Sequence, residues 1–223
     1  MREIILDTET TGLDPNDGDR IVEIGCVELI NHMTRGETFQ RYVNPERDIP
    51  SQALAVHGLT EEFLAQHPVF AEIVDDFVGF LGKSPLVIHN AKFDLGFINA
   101  ELSRLGRPPL SLDRAIDTVE LARRKFPGAP ANLDALCRRF QIDNSDRGQH
   151  GALKDSILLT EVYLELIGSR QPGLELASST TSAAVGGQRE FRPPRPHAAS
   201  SEEMAAHEQF LDGMADSIWR GCG

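Results

Sequence analysis

The chain has 223 residues, 40% hydrophobic and 6% aromatic, which is enough for one packed domain of ordinary size with residues to spare. Its formal net charge of −12 excludes non-specific adhesion to nucleic acid or anionic membranes, though not a nucleic-acid substrate. Cys26, Cys137 and Cys222 are odd in number and far apart, which excludes a zinc pattern or disulfide framework; with no signal peptide and no bilayer-spanning run, a soluble cytoplasmic protein is expected.

The apolar run Ile4-Ile5-Leu6 predicts a buried strand over 2–7. Ile21, Val22, Ile24, Cys26, Val27 and Leu29 mostly alternate over 20–30, and a third strand is expected over 37–43. The loop-forming stretch from Gly12 to Asp19 is too short for a crossover helix, so these strands should form an antiparallel meander. Residues 60–63 and 70–81 are expected as helices, the second carrying Phe70, Ile73, Val74 and Phe77 at helical spacing. Leu86-Val87-Ile88 is a short buried strand, followed by a helix over 93–105 that stops at Gly106 and the pair Pro108-Pro109. Segments 114–126, 132–140 and 152–167 complete an α-rich second half. Three antiparallel strands followed by alternating strands and helices predict an α/β layer fold with a mixed sheet over 1–167.

Composition then changes. Residues 168–200 are rich in Gly, Ser, Thr, Pro and Ala and predict a flexible linker. A helix is expected to start at Ser201-Glu202-Glu203-Met204, with Met204, His207, Leu211, Met214 and Ile218 close to one face. Trp219, the sole tryptophan, lies in this tail, 201–223, where it has no core to join; a frayed terminus is the bland reading, a partner-docking segment the better one.

Three clusters carry the chemistry. Asp7 and Glu9 stand two apart at the end of the first strand, so both carboxylates face one spot. Side by side they raise each other's pKa unless a cation intervenes, and oxygen ligands suit Mg²⁺ or Mn²⁺. Asp94 follows the strand Leu86-Val87-Ile88 at a strand-to-helix junction; alone it would read equally as a solvated carboxylate in a helix's first turn. His150 and Asp155 would lie roughly 140° apart on a regular helix. To share a site, His150 must come from the loop, with Gly151 allowing the bend, and Asp155 from the helix. Asp7, Glu9, Asp94 and Asp155 together would balance two divalent cations, a pattern suited to two-metal phosphoryl chemistry. An imidazole titrates near neutrality, so His150 is the candidate general base.

Asp7-Thr8-Glu9-Thr10-Thr11-Gly12, His89-Asn90-Ala91-Lys92-Phe93-Asp94 and His150-Gly151-Ala152-Leu153-Lys154-Asp155 resemble, in order, the three motifs of the DEDDh 3′–5′ exonucleases. Val56-His57-Gly58-Leu59-Thr60, the segment 132–137 and the tail segment 203–208 resemble the branch that proofreads for bacterial replicative DNA polymerases. The resemblance implies a ribonuclease-H-like exonuclease fold, a five-stranded mixed sheet flanked by helices. It implies two Mg²⁺ or Mn²⁺ ions on Asp7, Glu9, Asp94 and Asp155, with His150 as general base and a DNA 3′ end, single-stranded or frayed, as substrate. Substrate contacts fall on Asp7, Glu9, His57 and Asp155, and more weakly on Thr10, Leu13, Asn90 and Phe93, which read equally as turn or core residues. Gln52 stands where relatives place a Glu, which leaves its substrate role open.

Gln171, Leu174 and Leu176, within 171–176, resemble a sliding-clamp-binding peptide. The tail, through Met204, Leu211 and Trp219, would dock on the polymerase's alpha subunit, placing the protein in the bacterial cytoplasm at the nucleoid-associated replisome. Whether a small third core subunit binds the catalytic domain stays open. Two other readings stand beside the proofreader: a DEDDh ribonuclease that trims RNA ends, and a non-catalytic scaffold. The scaffold requires a missing ligand, and none is missing.

Overall fold

The structure is a computed structural model of the chain, and it describes residues 1–34, 36–145, 150–168 and 198–214. Most of the expected linker, the peptide residues Gln171, Leu174 and Leu176, and Trp219 lie outside the described residues. The chain divides into two compact units, Met1–Glu175 and Leu176–Gly223.

The first unit is built on one sheet of order β3-β2-β1-β4-β5. Strands β1 (Arg2–Thr10), β2 (Ile21–Ile30) and β3 (Thr38–Tyr42) form the antiparallel meander. Strands β4 (Leu86–Ile88) and β5 (Ala115–Asp117) add to the other side of β1 in parallel. The helices are α1 (Ser51–His57), α2 (Glu61–Leu64), α3 (Phe70–Leu81), α4 (Ala91–Arg104), α5 (Thr118–Lys125), α6 (Leu133–Phe140) and α7 (Ala152–Ile167). The α/β fold with a five-stranded mixed sheet is therefore the observed one.

Alternation along β1 divides the core between two layers. Ile4 and Leu6 face Phe70, Ile73 and Phe77 of α3 and Leu95 and Ile98 of α4. Ile5 and Val27 face the other layer, Leu136 of α6 and Leu159 and Val162 of α7. Burial of each such side chain contributes about 1.5–3 kcal/mol, so both layers are firmly seated. Because β1 lies between the layers, its C-terminal end is where residues from both can meet.

Two segments differ from the sequence expectations. Residues 114–126 are not one helical element: a 3₁₀ turn (Leu112–Arg114) leads into β5, and Asp117 then caps α5 by accepting the Val119 N–H at 2.8 Å. Ala115-Ile116-Asp117 is a strand because it pairs with β4, and three residues are too few to show a period. Helix α1 carries no periodic signal in the sequence. It starts after Pro50 and stops at Gly58, whose φ of 71° is left-handed, a conformation glycine adopts without strain.

In the second unit, α8 (Ser201–Asp212) starts with a capping box: Ser200 accepts the Glu203 N–H and Glu203 accepts the Ser200 N–H. Leu211 is buried, whereas Met204 and Phe210 are exposed.

Candidate active site

Asp7 and Glu9 leave the end of β1 on the α7 face, opposite Gly25 and Glu23 of β2. Helix α7 can cross here only because residue 25 has no side chain. A Cβ on Gly25 would lie 2.1 Å from the Leu153 nitrogen and 2.2 Å from the Ala152 carbonyl carbon. The Ser156 hydroxyl fastens the crossing by donating to the Gly25 carbonyl at 2.9 Å.

That crossing brings the first turn of α7 to Glu9. Glu9, His150 and Asp155 offer ligand atoms that all lie within 4.8 Å of one another, the one such group among the described residues. His150 precedes the helix, Gly151 is its N-cap, and His150 Nδ1 lies 3.0 Å from Asp155 Oδ2. His150 is half-exposed, Asp155 and Glu9 are buried. The His150 backbone N–H donates to the Val56 carbonyl at 3.1 Å, which ties the loop to α1.

Asp94 arrives from the other layer, in the first turn of α4, and stands outside that group of three, as does Asp7. Its Oδ1 accepts from the Thr8 N–H at 3.0 Å and the Thr8 hydroxyl at 2.7 Å. Burial pushes its carboxyl up to about 7; the Thr8 donors pull it back and the Asp117 charge pushes it further up. Asp7 shares the strand end, and its charge adds to burial in raising the Cys26 thiol.

Beside Glu9 opens a cleft of about 510 Å³, lined also by Thr10, Leu13, Gln52, Val56, His57 and Phe93. Five of the expected substrate residues thus share one wall system with Glu9. Asn90 does not: it caps α4 with a left-handed φ of 69° and lines a separate polar cavity with His89, Lys92 and Asp117. His57 is buried, its Nδ1 accepts the Leu59 N–H at 3.0 Å, and burial lowers its pKa. The ring is therefore held neutral with its proton on Nε2, which has no hydrogen-bond partner among the described residues. A buried donor beside a cleft is suited to a ligand acceptor.

Neither Thr8 nor Glu23 stands out in the sequence as a site residue. Thr8 lies between the two carboxylates and so points to the opposite face, toward α4. Glu23 is a lone charge inside Ile21-Val22-Glu23-Ile24, a pattern that could have marked it.

An α/β domain that gathers buried carboxylates and a histidine at a strand end, beside a cleft of nucleotide size, has the form of a metal-dependent nuclease. The family described as Exonuclease matches residues 4–163, and the chain belongs to that RNase T/DEDDh exonuclease family. It is 54% identical to DNA polymerase III subunit epsilon of Rickettsia conorii over 227 residues, 98% of this chain and 99% of the relative. Exonuclease X in complex with 5′ overhanging duplex DNA is 28% identical, with a TM-score of 0.59 over 75% of this chain and 92% of that one. The nuclease domain of 3′hExo, a DEDDh family member bound to rAMP, is 20% identical with a TM-score of 0.65 over the same shares.

Proposed function

We propose that the protein is the proofreading 3′–5′ exonuclease subunit of a bacterial DNA polymerase III, removing mispaired 3′-terminal nucleotides as 5′-monophosphates. The observation that carries this is the meeting of Glu9, His150 and Asp155 within 4.8 Å beside the cleft that holds His57 and Gln52. The near-full-length likeness to an epsilon subunit supports DNA rather than RNA as the strand.

The donor set fits divalent metal. Asp94, Glu9 and Asp155 are buried carboxylates, and bound cations would favour ionising them together. Asp7, Glu9, Asp94 and Asp155 would hold two Mg²⁺ or Mn²⁺ ions, which supply charge neutralisation at the scissile phosphate and a water easier to deprotonate. Asp155 accepts the His150 Nδ1–H, which leaves Nε2 as the basic nitrogen that takes a proton from the attacking water. The Thr8 donors orient Asp94. His57 would donate from Nε2 to the terminal nucleotide, and Gln52, Thr10, Leu13 and Phe93 would enclose it. Selectivity for a mismatch follows because an unpaired end needs less free energy to enter the cleft.

Residues 171–176 would bind the sliding clamp and the tail the polymerase III alpha subunit. The test is metal-dependent digestion of matched single-stranded DNA and RNA, with Asp155→Ala as control. Faster release of deoxynucleoside monophosphates, reduced at least about 10²-fold in the variant, is expected. Preference for RNA would make this a ribonuclease.

A further inference from the structure

Glu23 is a carboxylate only 2% exposed, set among the buried neighbours Ile21, Val22 and Ile24, and neither metal nor substrate has been assigned to it. Burying such a charge is unfavourable unless its hydrogen bonds repay the lost hydration. Its two oxygens make separate bonds. Oε1 accepts from the Gln40 side-chain amide at 2.8 Å, and Oε2 accepts the Ala152 backbone N–H at 3.0 Å. Ala152 is the first residue of α7, and the N-cap before it, Gly151, has no side chain to cap with. A strand residue therefore satisfies one of the free N–H groups at the start of α7, and does so from outside the helix.

The location of this remote cap matters. Glu23 is the direct cross-strand partner of Glu9, so both side chains leave the same face of the sheet about 5 Å apart. One residue of the pair enters the cluster with His150 and Asp155, and the other holds the helix three residues before Asp155 and two after His150. A side-chain cap at position 151 would reach later N–H groups of the same helix and would leave it unlinked to β2. The cap from Glu23 fixes the distance between the strand carrying the first carboxylates and the helix carrying the last.

We propose that Glu23 is a positioning residue for hydrolysis, holding the start of α7 so that His150 and Asp155 converge on Glu9. This rests on the roles given to His150 and Asp155 above. The function depends on reach rather than charge. Glu23→Gln keeps the length and an oxygen for the Ala152 N–H, and Gln40 can turn its amide to accept from the new NH₂. Glu23→Asp keeps the charge and loses one methylene, too short for the 3.0 Å bond.

Full-length Glu23→Gln, Glu23→Asp and Asp155→Ala are compared with the parent on single-stranded DNA, below their melting temperatures. Glu23→Gln should stay within about threefold of the parent. Glu23→Asp should lower kcat by roughly 10–10²-fold with KM within about twofold, as expected when groups are misplaced rather than lost. In titration calorimetry it should also weaken Mn²⁺ binding about tenfold, a readout independent of turnover. Equal behaviour of the Gln and Asp variants in kcat and Mn²⁺ affinity overturns the proposal, as does a Gln variant worse than the Asp one. If Asp155→Ala is fully active, the reading of the site itself fails instead, whatever the Glu23 variants do.

Discussion

At Asp94 a proton and a cation compete for one buried carboxyl. Its pKa, pushed up to about 7 by burial, means that the folded, metal-free protein keeps a proton that the unfolded chain releases near 3.8. Between those values the native state binds more protons than the unfolded one, so stability is fully present below about 3.8 and is lost as pH rises through 7. A divalent cation would replace the proton. Melting temperature in Mg²⁺ relative to chelator should therefore rise more at pH 8 than at pH 6, which differential scanning calorimetry measures directly. Asp94→Asn removes the buried charge and keeps an oxygen for the Thr8 donors. It should stabilise the metal-free protein at pH 8 by about 1–2 kcal/mol, roughly 2–8 °C, and abolish hydrolysis. A variant less stable than the parent under chelator at pH 8 would mean that the carboxylate is satisfied without metal.

At the scale of elements, the site depends on how closely α7 approaches β2. Gly25→Ala would place a methyl group inside the backbone of Ala152 and Leu153, with no flexible side-chain end to move aside. A loss of about 2–3 kcal/mol is expected, read in a urea melt, with a larger proportional loss of kcat because the helix carrying Asp155 is displaced. Unchanged stability would show that α7 can slide. None of this was visible in Gly25 itself, which reads as a strand glycine in an alternating run. By contrast, α3 and β4 were legible to their ends, because α3 has a full apolar face and β4 is an uninterrupted apolar triplet between turn signals. Helix α1 was not, since Ser51 to His57 is too short to show a periodic face, with only His57 buried. Strand β5 exists through its pairing with β4. The three motifs could be read as sequence, while Glu23 and Thr8 act through partners 129 and 86 residues away and so needed the fold.

For the whole molecule, a chain of net charge −12 must hold an anionic strand with little electrostatic help of its own. Both core layers and all the residues of the site lie within the compact unit Met1–Glu175, so cleaving a loose 3′ end should need nothing beyond it. The helix α8 presents Met204 and Phe210 to solvent, apolar surface suited to a partner. If the tail holds the polymerase III alpha subunit, each primer end meets the cleft at the effective concentration of a tethered pair. Truncation after Glu175 should then leave hydrolysis of free single strands within about twofold of the full chain. With alpha added at nanomolar concentrations, removal of a mismatched primer terminus should rise by about 10²-fold or more for the full chain only. Lost activity on free strands would make the tail part of the catalytic unit. Stimulation of the truncated form would move the docking surface onto the catalytic domain, and the exposed face of α8 would then need another partner.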